Sequence, residues 1–317
     1  MGTDRIRLDA MDVANARFAV SPGMEAARAV RRLRSTTEDV PLHRAMLARI
    51  GAGVDPRVIE LLGTLVGRRG LTADFVCQPG ASTPDEVADG IASTPLALLR
   101  ADLERTERWA PGSLPRRWTR DIATARREVA RAWASFWEHG MAGEWPAIRR
   151  VLDADVAARA RAMADVGAIA VVTDLSPRLR WEGTTLVRTG SRFPERADCR
   201  GRGLRLSPTV LGWPRGGLVT DAPWPTTVYY PARNATAEAE TGSGGPAVEL
   251  LGRTRAAILE HVRVPARTGD VAEALGISPA TASHHLGVLA RASLITTTRE
   301  GRESWHARTP AADELGW

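Results

Sequence analysis

The sequence contains no lysine, and all 43 of its basic residues are arginine. This absence excludes the chemistry that depends on a lysine amine, such as Schiff-base formation, the lysine of phosphate-binding loops and the lysine of protein kinases. Any contact with a phosphate group must therefore come from arginine, from a hydroxyl group or from a backbone N–H.

Cysteine and long apolar runs are scarce as well. Cys77 and Cys199 are the only cysteines; they form neither a disulfide framework nor a metal-ligand pair, and we expect both to be small buried apolar residues. No run of about 18 apolar residues is present, so we expect no membrane span. The opening MGTDRIRLDAMD carries no apolar signal region. We therefore expect a cytoplasmic protein that needs no cofactor and no metal.

The excess of positive charge does not lie in the C-terminal segment. The formal net charge is +6, but the segment from Pro246 to Trp317 holds eight arginines and eight acids and is formally neutral. Bulk charge thus gives no support for nucleic-acid binding by this segment, and evidence for it must come from local geometry.

A change of composition divides the chain. NATAEAETGSGGP, from Asn234 to Pro246, is small, polar and glycine-rich, which is typical of a flexible linker. We therefore predict an N-terminal effector or dimerisation domain over 1–233, a linker over 234–246 and a separate domain over 247–317.

Upstream of the linker, helical patterns come first and strand patterns follow. Ser21-Pro22 and Thr83-Pro84 are typical helix starts. Apolar spacing predicts a helix over Arg120–Gly140 that stops at the glycine, and another helix over about Trp145–Val166. From Gly167 onwards the β-prone runs AIAVV, TTLVR, LRLSPTVLGW, GGLVT and TTVYYPA alternate with Gly, Pro and Asp. Helices followed by a small antiparallel sheet indicate the α+β class.

The segment after the linker shows the pattern of a helix-turn-helix. Apolar residues over Leu250–Val262 share one helical face. In TGDVAEALGI, Thr268 can cap a second helix, which Gly276 ends with a left-handed turn. Ser278 then caps a third helix with Pro279 in its first position. Two helices joined by a short turn with glycine predict a helix-turn-helix.

The third helix, SPATASHHLGVLARA over 278–292, has two different faces. Ala282, Leu286, Leu289 and Ala290 fall on the core side at about 100° per residue. The other face is small, polar and free of acids, which suits entry into the DNA major groove, because carboxylates would repel phosphate there. The residues predicted to contact DNA are Ser278, Ala280, Thr281, Ser283, His284, His285 and Arg291. For His285, packing against the neighbouring helix is the alternative.

LITTTREGRESWHAR follows this helix directly. Two β-prone runs flank Glu300-Gly301-Arg302, which predicts a hairpin, and a hairpin in this position would be a wing. We predict that Arg299 and Arg302 contact DNA, with Arg302 at the tip of the wing.

Taken together, LLGRTRAAIL, DVAEALGISPATASHHLGVL and REGRESWH resemble the winged helix of ArsR-type bacterial transcription regulators. RFAVSP over Arg17–Pro22 and GRGLRLSPTVLGWP over Gly201–Pro214 resemble the long N-terminal domain that precedes this winged helix in some of these regulators. The resemblance implies a repressor that binds double-stranded DNA. Because one winged helix buries little surface, we expect a homodimer on a pseudo-palindrome.

The C-terminal segment departs from the ArsR pattern at three places. Ser293 stands where a glycine is usual, so that residue must adopt a strained backbone conformation or reshape the turn. The wing ends in Trp305-His306 rather than in a tyrosine. The tail after Thr309 is short, which leaves the helix over Val248–Val262 and the N-terminal domain to supply the dimer interface.

Two hypotheses for the function remain. The first is a sequence-specific DNA-binding regulator whose N-terminal domain sets the dimer geometry or senses a small molecule. The second is an enzyme domain over 1–233 tethered to a DNA-binding module. Against the second, the sequence has no G-x-S-x-G, no H-E-x-x-H and no lysine-dependent motif. We therefore expect no enzymatic activity and no catalytic residues.

Overall fold

The structure, a computed structural model, describes residues 2–35, 43–67, 71–176, 178–191, 194–212, 216–233, 250–263, 265–300 and 303–313. Contacts between Cα atoms divide the chain into two compact units. The first unit is Met1–Glu38 with Met46–Ala235, and the second is Asp39–Ala45 with Thr236–Trp317. The predicted linker, 234–246, lies outside the described residues, so the predicted domain boundaries stay a prediction.

Helices make up most of the chain before residue 175, and two of them carry the caps that the sequence predicts. Ser21 accepts a hydrogen bond from the N–H of Met24, and Thr83 and Glu86 form a reciprocal capping box. The helices are α1 (Ala10–Ala14), α2 (Pro22–Leu33), α3 (Arg44–Ala52), α4 (Pro56–Gly63), α5 (Asp74–Cys77), α6 (Pro84–Ser93), α7 (Leu96–Trp109), α8 (Arg116–Arg120), α9 (Ile122–Phe136), α10 (Ala142–Val166) and α11 (Ala168–Asp174).

The helix predicted from Arg120 does not stop at Gly140. Instead α9 passes through a π-helical turn, Trp137–Met141, into α10. A Cβ atom at Gly140 would lie 2.7 Å from Cγ2 of Val54 and 3.1 Å from the carbonyl oxygen of Ile50. The predicted end was wrong because this glycine permits close packing between helices rather than a left-handed turn.

Among the described residues of the first unit, the strands form two four-stranded sheets. The strands are β1 (Gly2–Arg7), β2 (Arg17–Phe18), β3 (Leu179–Glu182), β4 (Thr185–Ser191), β5 (Arg196–Asp198), β6 (Arg205–Thr209), β7 (Gly217–Val219) and β8 (Thr227–Pro231). One sheet has the order β3-β4-β1-β5, with β1 antiparallel to β4 and parallel to β5. The other has the order β2-β6-β8-β7, with β2, β6 and β8 parallel and β7 antiparallel to β8.

The α+β class is confirmed, whereas the prediction of one antiparallel sheet is wrong. Two segments from the start of the chain, β1 and β2, join the sheets and pair in parallel with β5 and β6. Hairpins between consecutive strands produce only antiparallel pairs, so the sequence pattern did not indicate these parallel pairs. The run AIAVV, predicted as a strand, lies in α11, where Val171 and Val172 are buried. A short apolar run fits a buried helix as well as a buried strand.

The two sheets and neighbouring helices share one apolar core. Cys199 is part of it, and Cys77 is buried elsewhere in the first unit, so both thiols are enclosed as expected. The residues of the core are Ile6, Leu8, Val172, Leu175, Leu179, Leu186, Cys199, Leu204, Leu206, Val228 and Tyr230.

The second unit consists of helices followed by a hairpin. Its elements are α12 (Arg253–His261), β9 (Ala266–Arg267), α13 (Thr268–Leu275), α14 (Pro279–Arg291), β10 (Ile295–Glu300), β11 (Glu303–Arg308) and α15 (Pro310–Asp313). Leu250 is 70 % exposed and does not share the predicted apolar face, because Gly252, with a φ of 76°, separates it from α12. Among the described residues, no helix combines the length and the apolarity that crossing a membrane requires.

Candidate nucleic-acid interface

The turn between α13 and α14 has the geometry of the predicted helix-turn-helix. Gly276 ends α13 with a left-handed φ of 60°, and the N–H of Ile277 donates to the carbonyl of Ala272 at 3.1 Å. Ser278 Oγ accepts from the N–H of Thr281 at 3.0 Å and lies 2.8 Å from the hydroxyl of Thr281. The predicted end of one helix and start of the next are confirmed.

α14 buries one side and exposes the other. Ala282, Leu286 and Leu289 are at most 2 % exposed, and Ala290 is half-buried. This is the core side that the helical period predicts. The exposed residues among the predicted DNA contacts are Ser278, Ala280, Thr281, Ser283, His284 and Arg291.

His285 is partly withdrawn from this exposed side. Its side chain is half-buried, and its Nδ1 atom is buried without a hydrogen-bond partner among the described residues. Burial, and then the neighbouring His284 and Arg255, hold the pKa of His285 below its ordinary value. The imidazole is therefore neutral at neutral pH, which favours the packing alternative over a charged contact with phosphate.

The hairpin expected as a wing is present. β10 pairs with β11 in antiparallel register from Ile295 opposite Arg308 to Glu300 opposite Glu303, and β9 pairs with the other edge of β11. Arg299 is exposed on β10. Arg302, the predicted tip residue, lies outside the described residues, so its contact with DNA stays a prediction.

His306 ties this hairpin to the helix-turn-helix, and the sequence did not single it out for that role. Its Nε2 atom lies 2.9 Å from the hydroxyl of Thr268 and its Nδ1 atom 3.0 Å from the hydroxyl of Thr297. Thr268 therefore does not cap α13 as predicted: it is the first residue of the helix, and its hydroxyl faces His306. Thr297 is the cross-strand partner of His306 in the hairpin, whereas Thr268 lies 38 residues before His306, so no local pattern could have indicated the contact between Thr268 and His306.

The charges of the second unit are distributed unevenly around α14. Asp270 and Glu260 each accept a hydrogen bond from an arginine three residues away along the chain, at 3.0 Å. Arg291 and Arg299, in contrast, are exposed and form no ion pair within the part of the chain that the structure describes. A segment without formal net charge thus presents positive charge beside an acid-free helix.

The junction between α14 and β10 contains the departure from the ArsR pattern. Ser293 has a φ of 59°, so the serine adopts the left-handed conformation that glycine adopts without steric cost. Adjacent hydrogen bonds hold the turn: Leu294 N–H donates to the Leu289 carbonyl at 3.0 Å, and the Thr309 hydroxyl donates to the Ser293 carbonyl at 2.8 Å. Of the two expected outcomes, the strained backbone is the one observed.

In the first unit, the motifs RFAVSP and GRGLRLSPTVLGWP lie side by side. Arg17–Phe18 pairs in parallel register with Arg205–Leu206. The buried carboxylate of Glu25 accepts from the N–H groups of Val210 at 3.1 Å and Leu211 at 2.9 Å, and burial raises the pKa of this acid. The two motifs are thus in direct contact, through the pairing of β2 with β6 and through Glu25 of α2.

A buried group of carboxylates lies elsewhere in the first unit. Arg105 donates to Asp74 at 2.7 Å and to Asp102 at 2.9 Å, and it also pairs with Asp221. Burial outweighs the attraction of Arg105 and raises the pKa of Asp74 to about 7. Such a shift is common in active sites, but Asp74 and Asp102 are buried, Arg105 binds one oxygen of each, and the N–H of Phe75 binds the other oxygen of Asp102. Within the described ranges, no set of His, Cys, Asp and Glu side chains could hold a metal ion.

Comparison with protein families matches two parts of the chain. Residues 250–298 match a helix-turn-helix domain, which supports a DNA-binding regulator in general. No curated protein and no solved structure matches the chain. Residues 78–236, half of the sequence, match the family of unknown function DUF5937, and the chain belongs to that family.

Proposed function

We propose that the protein is a sequence-specific transcription repressor of the ArsR winged-helix type that binds double-stranded DNA as a homodimer. In this proposal α14 lies in the major groove, where Thr281, Ser283 and His284 contact base edges. Backbone N–H groups at Ser278 and Ala280 face a phosphate at the start of the helix.

One observation carries the proposal: the exposed side of α14 has no acid, and two exposed arginines, Arg291 at the end of α14 and Arg299 on β10, have no carboxylate partner among the described residues. Phosphate neutralisation by Arg291 and Arg299 would orient the helix, and the wing would add Arg302. The polar groups of α14 would then read the sequence, because contacts to phosphates alone carry no sequence information.

For residues 1–233 we propose that the domain sets the geometry of the dimer or senses a small molecule, and that it catalyses no reaction. Asp74, whose carboxyl pKa is raised to about 7, is a buried group bonded to Arg105. That arrangement supports a structural role for these acids, since a substrate would need access to a carboxylate oxygen.

The experiment is selection of genomic DNA fragments by the full chain, followed by footprinting of the fragment bound most tightly. The expected result is a protected, pseudo-palindromic site whose affinity exceeds that for random DNA by at least about a thousandfold at physiological salt. Equal affinity for selected and random fragments would contradict a sequence-specific regulator.

The variant His284→Ala tests the assignment of α14. It should weaken binding to the selected site by about 1–3 kcal/mol and leave binding to random DNA nearly unchanged, because a base contact is lost. His139→Ala, the same change at an exposed histidine of the first unit, is the matched control and should leave both affinities intact. Equal losses on both DNAs for His284→Ala would mean that the histidine contacts only the backbone.

A further inference from the structure

A recess of about 500 Å³ opens on the first unit where β2 and β6 run side by side. Its walls include one arginine from each of the two N-terminal motifs, Arg17 and Arg205. A third arginine, Arg149 of α10, lines the recess together with Asp153. Val156 and Pro225 contribute apolar wall, whereas the ring of Phe18 packs against Tyr230 in the core.

Arg17 and Arg205 are direct neighbours in the sheet. They are register partners in the parallel pair of β2 and β6, so their side chains leave the sheet on the same face. Like charges at such neighbouring positions are unfavourable when nothing lies between them. Burial, together with the charge of Arg17, holds the pKa of Arg205 below its ordinary value.

The protein orients Arg205 without neutralising it. Its guanidinium donates to the carbonyl of Gly80 and to the hydroxyl of Ser82, both at 2.9 Å, and both acceptors are uncharged. Across the described residues, no carboxylate forms an ion pair with Arg17 or Arg205. The charge of Glu86 acts on Arg205 from a distance, but the Glu86 carboxylate accepts a hydrogen bond from the N–H group of Ser82 at 2.7 Å and forms no ion pair with Arg205.

The rest of the recess does not cancel this charge. Arg149 binds Asp153 through both carboxylate oxygens, at 2.8 Å, so these two groups neutralise each other. Two guanidinium groups therefore remain with unbalanced charge in a concave site. Planar guanidinium forks match the oxygens of carboxylates and phosphates, and Val156 and Pro225 offer apolar surface for the remainder of a ligand.

We propose that this recess binds a small organic anion, with its carboxylate or phosphate group between Arg17 and Arg205 and its apolar part against Val156 and Pro225. The inference rests on the proposed function in one respect: the anion would be the small molecule that the N-terminal domain senses. The anion would replace the missing carboxylate partner and relieve the repulsion between neighbouring arginines, so bound protein is more stable than free protein.

The test measures binding to the full chain in the absence of DNA, by calorimetry and by the shift of the thermal midpoint. The probes are phenyl phosphate and benzoate at millimolar concentration, and benzyl alcohol is the uncharged control with the same ring. At least one anion should bind and raise the midpoint, whereas benzyl alcohol should do neither. Failure of both anions to bind, or equal binding of benzyl alcohol, overturns the proposal.

Two variants locate the site. Arg17→Gln should weaken binding of the anionic probe by at least about tenfold, since charge-assisted hydrogen bonds are lost. Arg17 is exposed and its side chain has no partner among the described residues, so this variant should keep or raise the thermal midpoint of the free protein, because it removes a like charge beside Arg205. Arg100→Gln, at an exposed arginine of α7 outside the recess, is the matched control and should bind as the wild type does. Unchanged affinity of Arg17→Gln overturns the proposal.

A DNA-binding measurement on the same variants separates this proposal from the proposed function. If the probe binds in an Arg17-dependent manner and the full chain shows no selective DNA binding, the anion site stands and the regulator fails. If DNA binding is selective and no anion binds, the regulator stands and the anion site fails. If Arg17→Gln weakens DNA binding without any probe present, the recess contacts nucleic acid and the anion proposal is overturned.

Discussion

Asp74 lies in a cluster that contains more carboxyl groups than guanidinium groups. One guanidinium, that of Arg105, contacts the carboxyl groups of Asp74, Asp102 and Asp221. If all three acids were ionised, negative charge would be in excess in a largely buried place. The pKa of Asp74 is raised to about 7, mainly by burial. Below that pH Asp74 is protonated, which reduces the excess of negative charge.

This shift predicts a pH dependence of stability. Between the ordinary pKa of 3.8 and the folded value of about 7, folded protein binds the proton of Asp74 while unfolded protein has released it. The contribution of Asp74 to the free energy of unfolding therefore falls as pH rises through this window, by at most about 1.4 kcal/mol per pH unit. Asp74→Asn, which resembles the protonated acid, should remove this contribution, as measured by denaturant unfolding in steps of pH.

Asp89→Asn is the control because Asp89 is exposed on α6, and it should keep the wild-type dependence. Burial also raises the pKa of Asp102 and Glu195, so Asp74→Asn should reduce the fall with pH rather than abolish it. If the free energy of unfolding depends on pH in the same way in wild type and Asp74→Asn between pH 4 and 7, then Asp74 is ionised in the folded protein and the prediction is wrong.

At the scale of the element, the turn after α14 determines how the hairpin leaves the helix. Ser293 occupies a left-handed conformation there at a φ of 59°. A non-glycine residue in this region carries a steric cost of about 1 kcal/mol. The turn is kept because Leu294 and Thr309 both form hydrogen bonds across it.

Ser293→Gly should therefore stabilise the protein by up to about 1 kcal/mol, because glycine adopts the positive φ without that cost. Calorimetric unfolding of the full chain measures the effect. Ser283→Gly, the same change at an exposed position within α14, should instead destabilise by about 0.5–1 kcal/mol. Destabilisation by both substitutions would contradict the assignment of strain to Ser293.

At the scale of the whole molecule, the proposed regulator has one short helix per chain, α14, with which to select a DNA site. Tight and selective DNA binding usually buries about 1,000 Å² or more of protein surface, which exceeds the reach of one winged helix. In the proposed dimer, a second copy of the chain would double the contact, and the first unit would supply part of the dimer interface. The short helix α15, Pro310–Asp313, offers little dimer interface.

The symmetry prediction concerns spacing on DNA. A dimer should protect two half-sites that lie one helical turn, about 10 base pairs, or a multiple of it apart. Inserting about half a turn, 5 base pairs, between the half-sites should reduce affinity sharply, because the second α14 then faces away from its groove. The mass of the complex in solution gives its stoichiometry. One chain bound to a single half-site with the full affinity would contradict the dimer.

Local interactions determined the features that could be predicted from the sequence. Ser21 and Thr83 cap the helices predicted at those positions, Gly276 and Ser278 bound the turn of the helix-turn-helix, and Leu286 faces the core of the second unit. Each of these depends on residues within a few positions along the chain, where helical period and capping chemistry act. The exposed face of α14 was predictable for the same reason.

Only the tertiary structure decided which distant segments meet. β1 has the sequence GTDRIR, with no apolar alternation, yet it is a central strand: it pairs with β4 and β5, buries Ile6 in the core, and forms an ion pair between the buried Asp4 and Arg188 of β4 at 2.6 Å. The pairing of Arg17 with Arg205, and hence the charged recess, likewise joins residues far apart in the chain. Strand pairing and buried ion pairs depend on complementary partners at any sequence distance, whereas a periodic pattern reports only on its own helix or strand.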